Sequence, residues 1–232
     1  MAITIIDRTE QKYFVSEDNY QKLMTLLNDK LTKDIYFKER ICNIYFDNDN
    51  YELISTSLDK PTYKEKVRLR SYNKPKENTT VFLEIKKKYK GKGNKRRIEL
   101  NYSEALNYIE KGIIPNNINK QIMNEIDYIF KKYNLKPKIS LTYDRYSYYL
   151  NEDNSFRITF DYNIKYDNKE LYLSNLENAN SLLKEGYIME LKLQNGIPLW
   201  FSKILNELKI YPTSFSKVGK AYTKLREDDL NV

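Results

Sequence analysis

The sequence predicts an α+β protein: an eight-stranded antiparallel β-barrel, forming a tunnel with inward-facing basic residues, and helices packed outside. Three observations carry this expectation. Eight segments alternate polar and apolar residues with period two. Helical patterns lie between groups of these segments, and eight strands suffice to close a small barrel. The polar positions of nearly every strand are biased to Lys and Arg, where a sheet with one wet face would carry a mixture of Thr, Ser, Gln and Glu.

The strands are ITIIDRTEQKYFV (3–15), RICNIYFD (40–47), TYKEKVRLRSY (62–72), TTVFLEIKKKY (79–89), NKRRIELN (94–101), KISLTYDRYSYYL (138–150), SFRITFDYNIKY (155–166) and YIMELKLQ (187–194). KELYLS (169–174) offers a short ninth. A first helix spans 17–31, with Ser16 as N-cap and Tyr20, Leu23, Leu27 and Leu31 on one face. Ser103 caps a short helix that stops at Gly112. Residues 117–133 repeat Ile118, Ile122, Ile126, Ile129 and Tyr133 at helical spacing, and Ser174 and Gly186 bracket a further helix. IPLWFSKILNELK opens a helix with Pro198 in its first turn. TSFSKVGKAYTKL sets Phe215, Val218, Tyr222 and Leu225 on one side of the last one. No linker or repeat divides the chain, so residues 1–232 read as one domain.

Alternate side chains of a strand share a face. Arg8, Glu10 and Lys12 therefore stand together. Lys64, Lys66, Arg68 and Arg70 form a row opposite Val67 and Leu69. Glu84, Lys86 and Lys88 oppose Leu83 and Ile85, and Lys95, Arg97 and Glu99 oppose Ile98 and Leu100. Arg157, Thr159 and Asp161 oppose Ile158 and Phe160, while Glu190 and Lys192 oppose Met189 and Leu191. Like charges on one sheet face repel, so so many cations call for a densely anionic ligand, and a phosphate chain answers best. Interleaved carboxylates offset part of the repulsion or hold a divalent metal, with ion pairing the plainer role for Glu10, Glu84, Glu99 and Asp161. Within KKK and KRR the strand register decides which side chains face the ligand.

Composition narrows the chemistry. The net charge of +8 favours an anionic partner. With no histidine, Ser-His-Asp and Cys-His catalysis are excluded. One cysteine, Cys42, sits among apolar neighbours and reads as a small buried residue. It allows no disulfide within the chain, and no apolar run is long enough for a membrane span. A cytoplasmic protein is expected. The 22 tyrosines mostly share faces with aliphatic residues, so nucleic-acid binding, which needs aromatics exposed among cations, is not expected.

The ordered pieces RTEQKYFV, NIYFDNDNYE, KVRLRSY, FLEIKKK, NKRRIEL, YDRYSYY, FRITFD, IMELKL and SFSKVGKAY resemble the VTC domain, the polyphosphate polymerase branch of the triphosphate tunnel metalloenzymes (CYTH-like). The resemblance covers about residues 8–225. It implies an ATP-dependent phosphotransferase that extends inorganic polyphosphate inside a basic tunnel, with Mn2+ or Mg2+. Carried over by motif, the phosphate-binding set is Lys12, Arg68, Arg70, Lys86, Lys95, Arg145, Arg157, Lys217 and Lys220. Arg97 shares the face of Lys95, Glu190 is the implied metal ligand and Glu10 a second candidate. Lys217 and Lys220, three apart on the last helix, are expected to close one mouth of the tunnel. The superfamily's opening Glu-x-Glu-x-Lys reads here as Arg8, Glu10 and Lys12, which fits the polymerase branch better than a two-metal hydrolase. A tripolyphosphatase or nucleoside triphosphatase of the same fold, and a non-catalytic polyphosphate-binding module, stand as alternatives. The resemblance leaves a membrane partner and the oligomeric state open.

Overall fold

The computed structural model describes residues 9–59, 61–90, 92–116, 118–194 and 196–230. Its elements are β1 (Thr9–Val15), α1 (Glu17–Leu27), β2 (Leu31–Asp47), α2 (Glu52–Leu58), β3 (Tyr63–Tyr72), β4 (Thr80–Tyr89) and β5 (Lys92–Asn101). Then follow α3 (Tyr102–Lys111), α4 (Lys120–Tyr133), β6 (Lys136–Leu150), β7 (Asp153–Asp167), β8 (Asn180–Ser181), β9 (Tyr187–Leu193), α5 (Leu199–Glu207) and α6 (Lys217–Leu230). The hydrogen-bonded strand order is β1-β9-β7-β6-β2-β3-β4-β5, with the short β8 beside β7. This is the expected α+β class with a large antiparallel sheet. No helix among the described residues is long and apolar enough to cross a membrane.

The chain divides into two compact units. Residues 1–39, 143–164 and 183–215 form the first; residues 40–142, 165–182 and 216–232 form the second. In the first unit, one sheet face carries Tyr13, Val15, Ile158, Phe160, Met189 and Leu191 into a core with Leu23 and Leu27 of α1 and Phe201 and Leu205 of α5. Ser16 accepts the N–H of Asn19 and caps α1 as expected. In the second unit, Ile44, Phe46, Val67, Leu69, Leu83, Ile85 and Ile98 pack with Ala105 of α3 and with Met123, Ile126 and Ile129 of α4. Burying one such side chain stabilises the fold by roughly 1.5–3 kcal/mol. Cys42 belongs to this core and is buried, its Sγ 3.7 Å from Thr142 Oγ1.

Several boundaries differ from expectation, each for a local reason. Part of the first strand, residues 3–8 with Arg8, lies outside the described residues. Helix α1 ends at Leu27, because Asn28–Lys30 tighten into a 3-10 turn and Leu31 opens β2. Strand β2 is thus nine residues longer at its start than RICNIYFD suggests. Asn101, not Ser103, caps α3, and its backbone N–H donates to Glu104 at 2.9 Å. Gly112 closes that helix in the left-handed region, φ 68. Helix α4 starts at Lys120 behind the cap Asn119, and Pro198 caps α5 from outside its first turn. The helix expected between Ser174 and Gly186 does not form. Ser174 Oγ accepts the N–H of Leu176, whose φ of 48 turns the chain, and buried Leu176 and Leu182 hold it down. Residues 169–174 likewise form bends and turns, not a strand. Helix α2 was not expected; Asp47 nucleates it by accepting the N–H groups of Leu53 and Ile54 at 3.0 and 2.7 Å.

Candidate functional site

Strand register assigns the charged residues of the second unit to faces. Arg68 is paired with Tyr45 on β2 and Glu84 on β4, and Arg70 with Asn43 and Phe82. Glu84 in turn faces Arg97 on β5. Lys66, Lys86 and Lys95 are consecutive partners across β3, β4 and β5, and Lys64 faces Lys88. All these side chains therefore share one face, opposite the apolar core. The register also divides the two basic runs. Lys86 and Lys88 share the cationic face, whereas Lys87 lies on the other and pairs with Glu125 of α4 at 2.6 Å. Lys95 and Arg97 go with the cations, and Arg96 joins Glu125 at 3.2 Å.

One buried carboxylate organises this face. Glu84, 2% exposed, accepts from Arg68 Nε at 2.6 Å, pairs with Lys95, and lies 3.9 Å from Arg70 Nε. Burial opposes its charge, but Arg68, Arg70 and Lys95 outweigh burial and hold its pKa down at about 2. Burial pulls the Lys95 ammonium down to about 8; Glu84 resists that shift, while Arg68 and Arg70 add to it. Arg68 Nη1 donates to the Tyr45 hydroxyl at 3.1 Å. Burial alone would raise the Tyr45 phenol, yet Arg68, Arg70 and Lys66 bring it to about 8. Arg70 Nε donates to Asn43 Oδ1 at 3.1 Å, and Asn43 is anchored on the Leu141 carbonyl. Lys66 Nζ donates to Ser216 Oγ at 2.9 Å. That serine also accepts the N–H of Gly219 at the start of α6. Lys217 is buried at the first position of α6, whereas Lys220, one turn on, is exposed. Arg97 is half exposed, 3.4 Å from Glu99 and over the Phe82 ring.

The first unit gathers the remaining residues on a face with a different charge balance. Across β1, β9 and β7, Lys12 faces Glu190, which faces Thr159; Glu10 faces Lys192, which faces Arg157. Lys12 Nζ lies 3.5 Å from Glu10 and 3.4 Å from Glu190, and donates to the Phe215 carbonyl at 3.0 Å. Arg145 grips Asp161 with two hydrogen bonds of 2.5 and 2.7 Å and reaches Glu190 at 3.6 Å. Arg157 Nη2 pairs with Asp34 at 2.6 Å. Glu39 is raised by burial and by Asp34. Burial lowers Lys192 to about 8, against the pull of Glu190 at 3.9 Å. Here Lys12, Arg145, Arg157 and Lys192 stand against Glu10, Asp34, Asp161 and Glu190, so this face is close to neutral. The second unit's face sets Lys64, Lys66, Arg68, Arg70, Lys86, Lys88, Lys95 and Arg97 against Glu84 and Glu99, and is strongly positive.

The ion-pairing role expected for Glu84, Asp161 and Glu99 appears in these contacts. Tyr45, Asn43 and Asp34 were missed, and Lys192 was noted only by its face. In NIYFD the signal was present, since Asn43 and Tyr45 alternate with Ile44 and Phe46. Among the described residues no group of three or more His, Cys, Asp or Glu could hold a metal unaided.

The fold is similar to that of a candidate adenylate cyclase from Bacillus halodurans, with a TM-score of 0.53 and 16% identity, covering 89% of this chain and 92% of that one. It is similar also to a candidate adenylyl cyclase from Hippeastrum with a dominant triphosphatase activity, at a TM-score of 0.50 and 13% identity, covering 90% and 92%. No curated protein matches the chain in sequence. The family model of the VTC domain, in contrast, matches residues 7–226, and the chain belongs to the VTC domain family.

Proposed function

We propose that the protein is an ATP-dependent polyphosphate polymerase that moves the γ-phosphoryl group of ATP onto the end of an inorganic polyphosphate chain. The observation that carries this reading is the row Lys66, Lys86, Lys95 beside Arg68 and Arg70, with one buried carboxylate among them. Two ammonium groups about 5 Å apart repel by on the order of 3 kcal/mol at an effective dielectric of ~20. A linear polyanion relieves that repulsion along the whole row, whereas a single small anion relieves it at one point.

Phosphoryl transfer of this kind needs alignment and charge neutralisation more than covalent help. The attacking oxygen of a terminal phosphate is already largely ionised at neutral pH, so the absence of histidine is no obstacle. It forms a bond to the γ-phosphorus as the bridge to the β-phosphate breaks, and ADP leaves with the negative charge. Arg68 and Arg70 hold the transferring phosphates; Glu84 and Asn43 fix their guanidinium planes. On the first unit's face Arg145 and Arg157, fixed by Asp161 and Asp34, bind phosphate groups of the polyanion. On the second unit's face Lys86 and Lys95 neutralise the leaving oxygen, and on the first unit's face Lys12 is a phosphate contact. Arg97, Lys217 and Lys220 are further phosphate contacts. Glu190 and Glu10, which flank Lys12, fit a hard divalent cation that takes one or two carboxylates from protein and its other ligands from phosphate. Glu190 and Glu10 would hold Mn2+ or Mg2+, whose Lewis acidity would withdraw charge from the phosphate groups.

The triphosphatase activity of the Hippeastrum protein favours a second reading, a metal-dependent tripolyphosphatase in which Glu10 orients water. Incubation with ATP and Mn2+, then with tripolyphosphate and Mn2+, separates the two. Chain growth from ATP supports the polymerase. Rapid orthophosphate release from tripolyphosphate without chain growth overturns it.

A further inference from the structure

Among the described residues, four buried polar atoms on the near-neutral face have no hydrogen-bond partner: Asp34 Oδ2, which is in ion contact with Arg157 Nη2 at 2.6 Å, and three donors, Thr159 Oγ1, Ser147 Oγ and Arg157 Nε. Thr159 is 0% exposed and Ser147 1% exposed, so bulk water does not satisfy them. A buried hydroxyl without a partner carries its whole desolvation penalty, and such groups in native proteins call for an explanation. Thr159 lies between Arg157 and Asp161 on β7 and opposite Glu190 on β9. Ser147 stands two residues beyond Arg145 on β6, next to β7, and so shares the face of the Arg145–Asp161 pair. The nearby acceptors are committed elsewhere: Asp161 to Arg145, and Glu190 to Lys12, Arg145 and Lys192. Asp34 holds the Arg157 guanidinium by Nη2, which fixes the edge that carries Nε.

We propose that Thr159 and Ser147, with Nε of Arg157, form a donor set for the non-bridging oxygens of one phosphate group of the bound polyanion. This rests on the polyphosphate reading and adds two neutral residues to it. Two hydroxyls and one N–H present three donors. A single water offers two acceptor lone pairs and cannot serve all three, whereas a tetrahedral phosphate offers an oxygen to each. Neutral donors also suit a face whose charges already balance, because they bind phosphate without adding repulsion.

The test is calorimetric titration of tripolyphosphate, without metal, into wild-type protein and the variants Thr159→Val, Thr159→Ser and Ser147→Ala, with thermal melts of each unliganded protein. Val matches Thr in shape and removes the unsatisfied hydroxyl. Thr159→Val is expected to weaken binding about tenfold, equivalent to about 1.4 kcal/mol, while its unliganded melting temperature stays level or rises. Thr159→Ser restores the affinity lost in Thr159→Val, and Ser147→Ala weakens binding several-fold. Wild-type affinity in both Thr159→Val and Ser147→Ala overturns the donor set, since hydration alone then accounts for the atoms. A fall in affinity matched by a fall in melting temperature, and not rescued by Ser, also overturns it. If wild-type protein binds no tripolyphosphate at all, the polyphosphate reading itself falls; if it binds and the variants bind equally, only the donor set falls.

Discussion

Replacing Glu84 by Gln removes the single carboxylate at the centre of Arg68, Arg70 and Lys95 and keeps its shape. The carboxyl moves from an ordinary 4.5 to about 2 on folding. At about 1.36 kcal/mol per pKa unit, that displacement contributes about 3 kcal/mol of stability at pH 7. Glu84 is 2% exposed, so solvent screens little of it, and removing one partner of a buried ion pair typically costs about 3–5 kcal/mol. The sign follows from a depressed folded pKa. The contribution is complete above the unfolded value near 4.5 and disappears as the pH falls through about 2. Urea titrations of both proteins should therefore show Glu84→Gln less stable by about 3 kcal/mol at pH 7 and by only about 1 kcal/mol at pH 3. Tripolyphosphate should return part of the deficit, because it supplies negative charge to the same cations. Equal stability at pH 7, or a gap that does not narrow at pH 3, would refute the placement of Glu84 as the organising counter-charge.

Arg68→Ala should weaken tripolyphosphate binding at least tenfold and abolish phosphoryl transfer, whereas Lys87→Ala, on the helix-covered face beside Glu125, should leave binding within about twofold and cost at most about 1 kcal/mol of stability; equal effects of the two in a binding titration would contradict the register. Tyr45 and Lys95 both titrate at about 8, one gaining negative charge and the other losing positive charge as the pH rises. Affinity for tripolyphosphate should therefore fall between pH 7 and 9, and Tyr45→Phe should flatten part of that fall; identical pH profiles would remove Tyr45 from the site.

The antiparallel class and the cationic face were readable because both follow from a period of two. Val67 and Leu69 alternate with Lys66, Arg68 and Arg70 whatever the strand packs against. What could not be read depended on distant partners. Nothing within KKK distinguishes Lys86 from Lys87; the distinction comes from Glu125, which lies on α4, and from the pairing with Lys66 and Lys95. The start of β2, LTKDIYFKE, lacks clean alternation, and Leu31 fits the apolar face of α1 as well as a strand. Helix α2 is seven residues long and rests on Asp47, a cap well outside the usual position. Ser174 looks like an N-cap, but with Leu176 at positive φ its hydroxyl closes a turn. At the site, motif placed the arginines, while their orienting partners Asn43, Tyr45, Asp34 and Asp161 became apparent only from contacts.

Polyphosphate synthesis is tested most directly by following radiolabel from the γ-phosphate of ATP in the presence of Mn2+, with products resolved by length on a gel. Wild-type protein should give a ladder of labelled polyphosphate, and Arg68→Ala none. Label recovered only as orthophosphate, with no chain longer than the input, would contradict the polymerase reading.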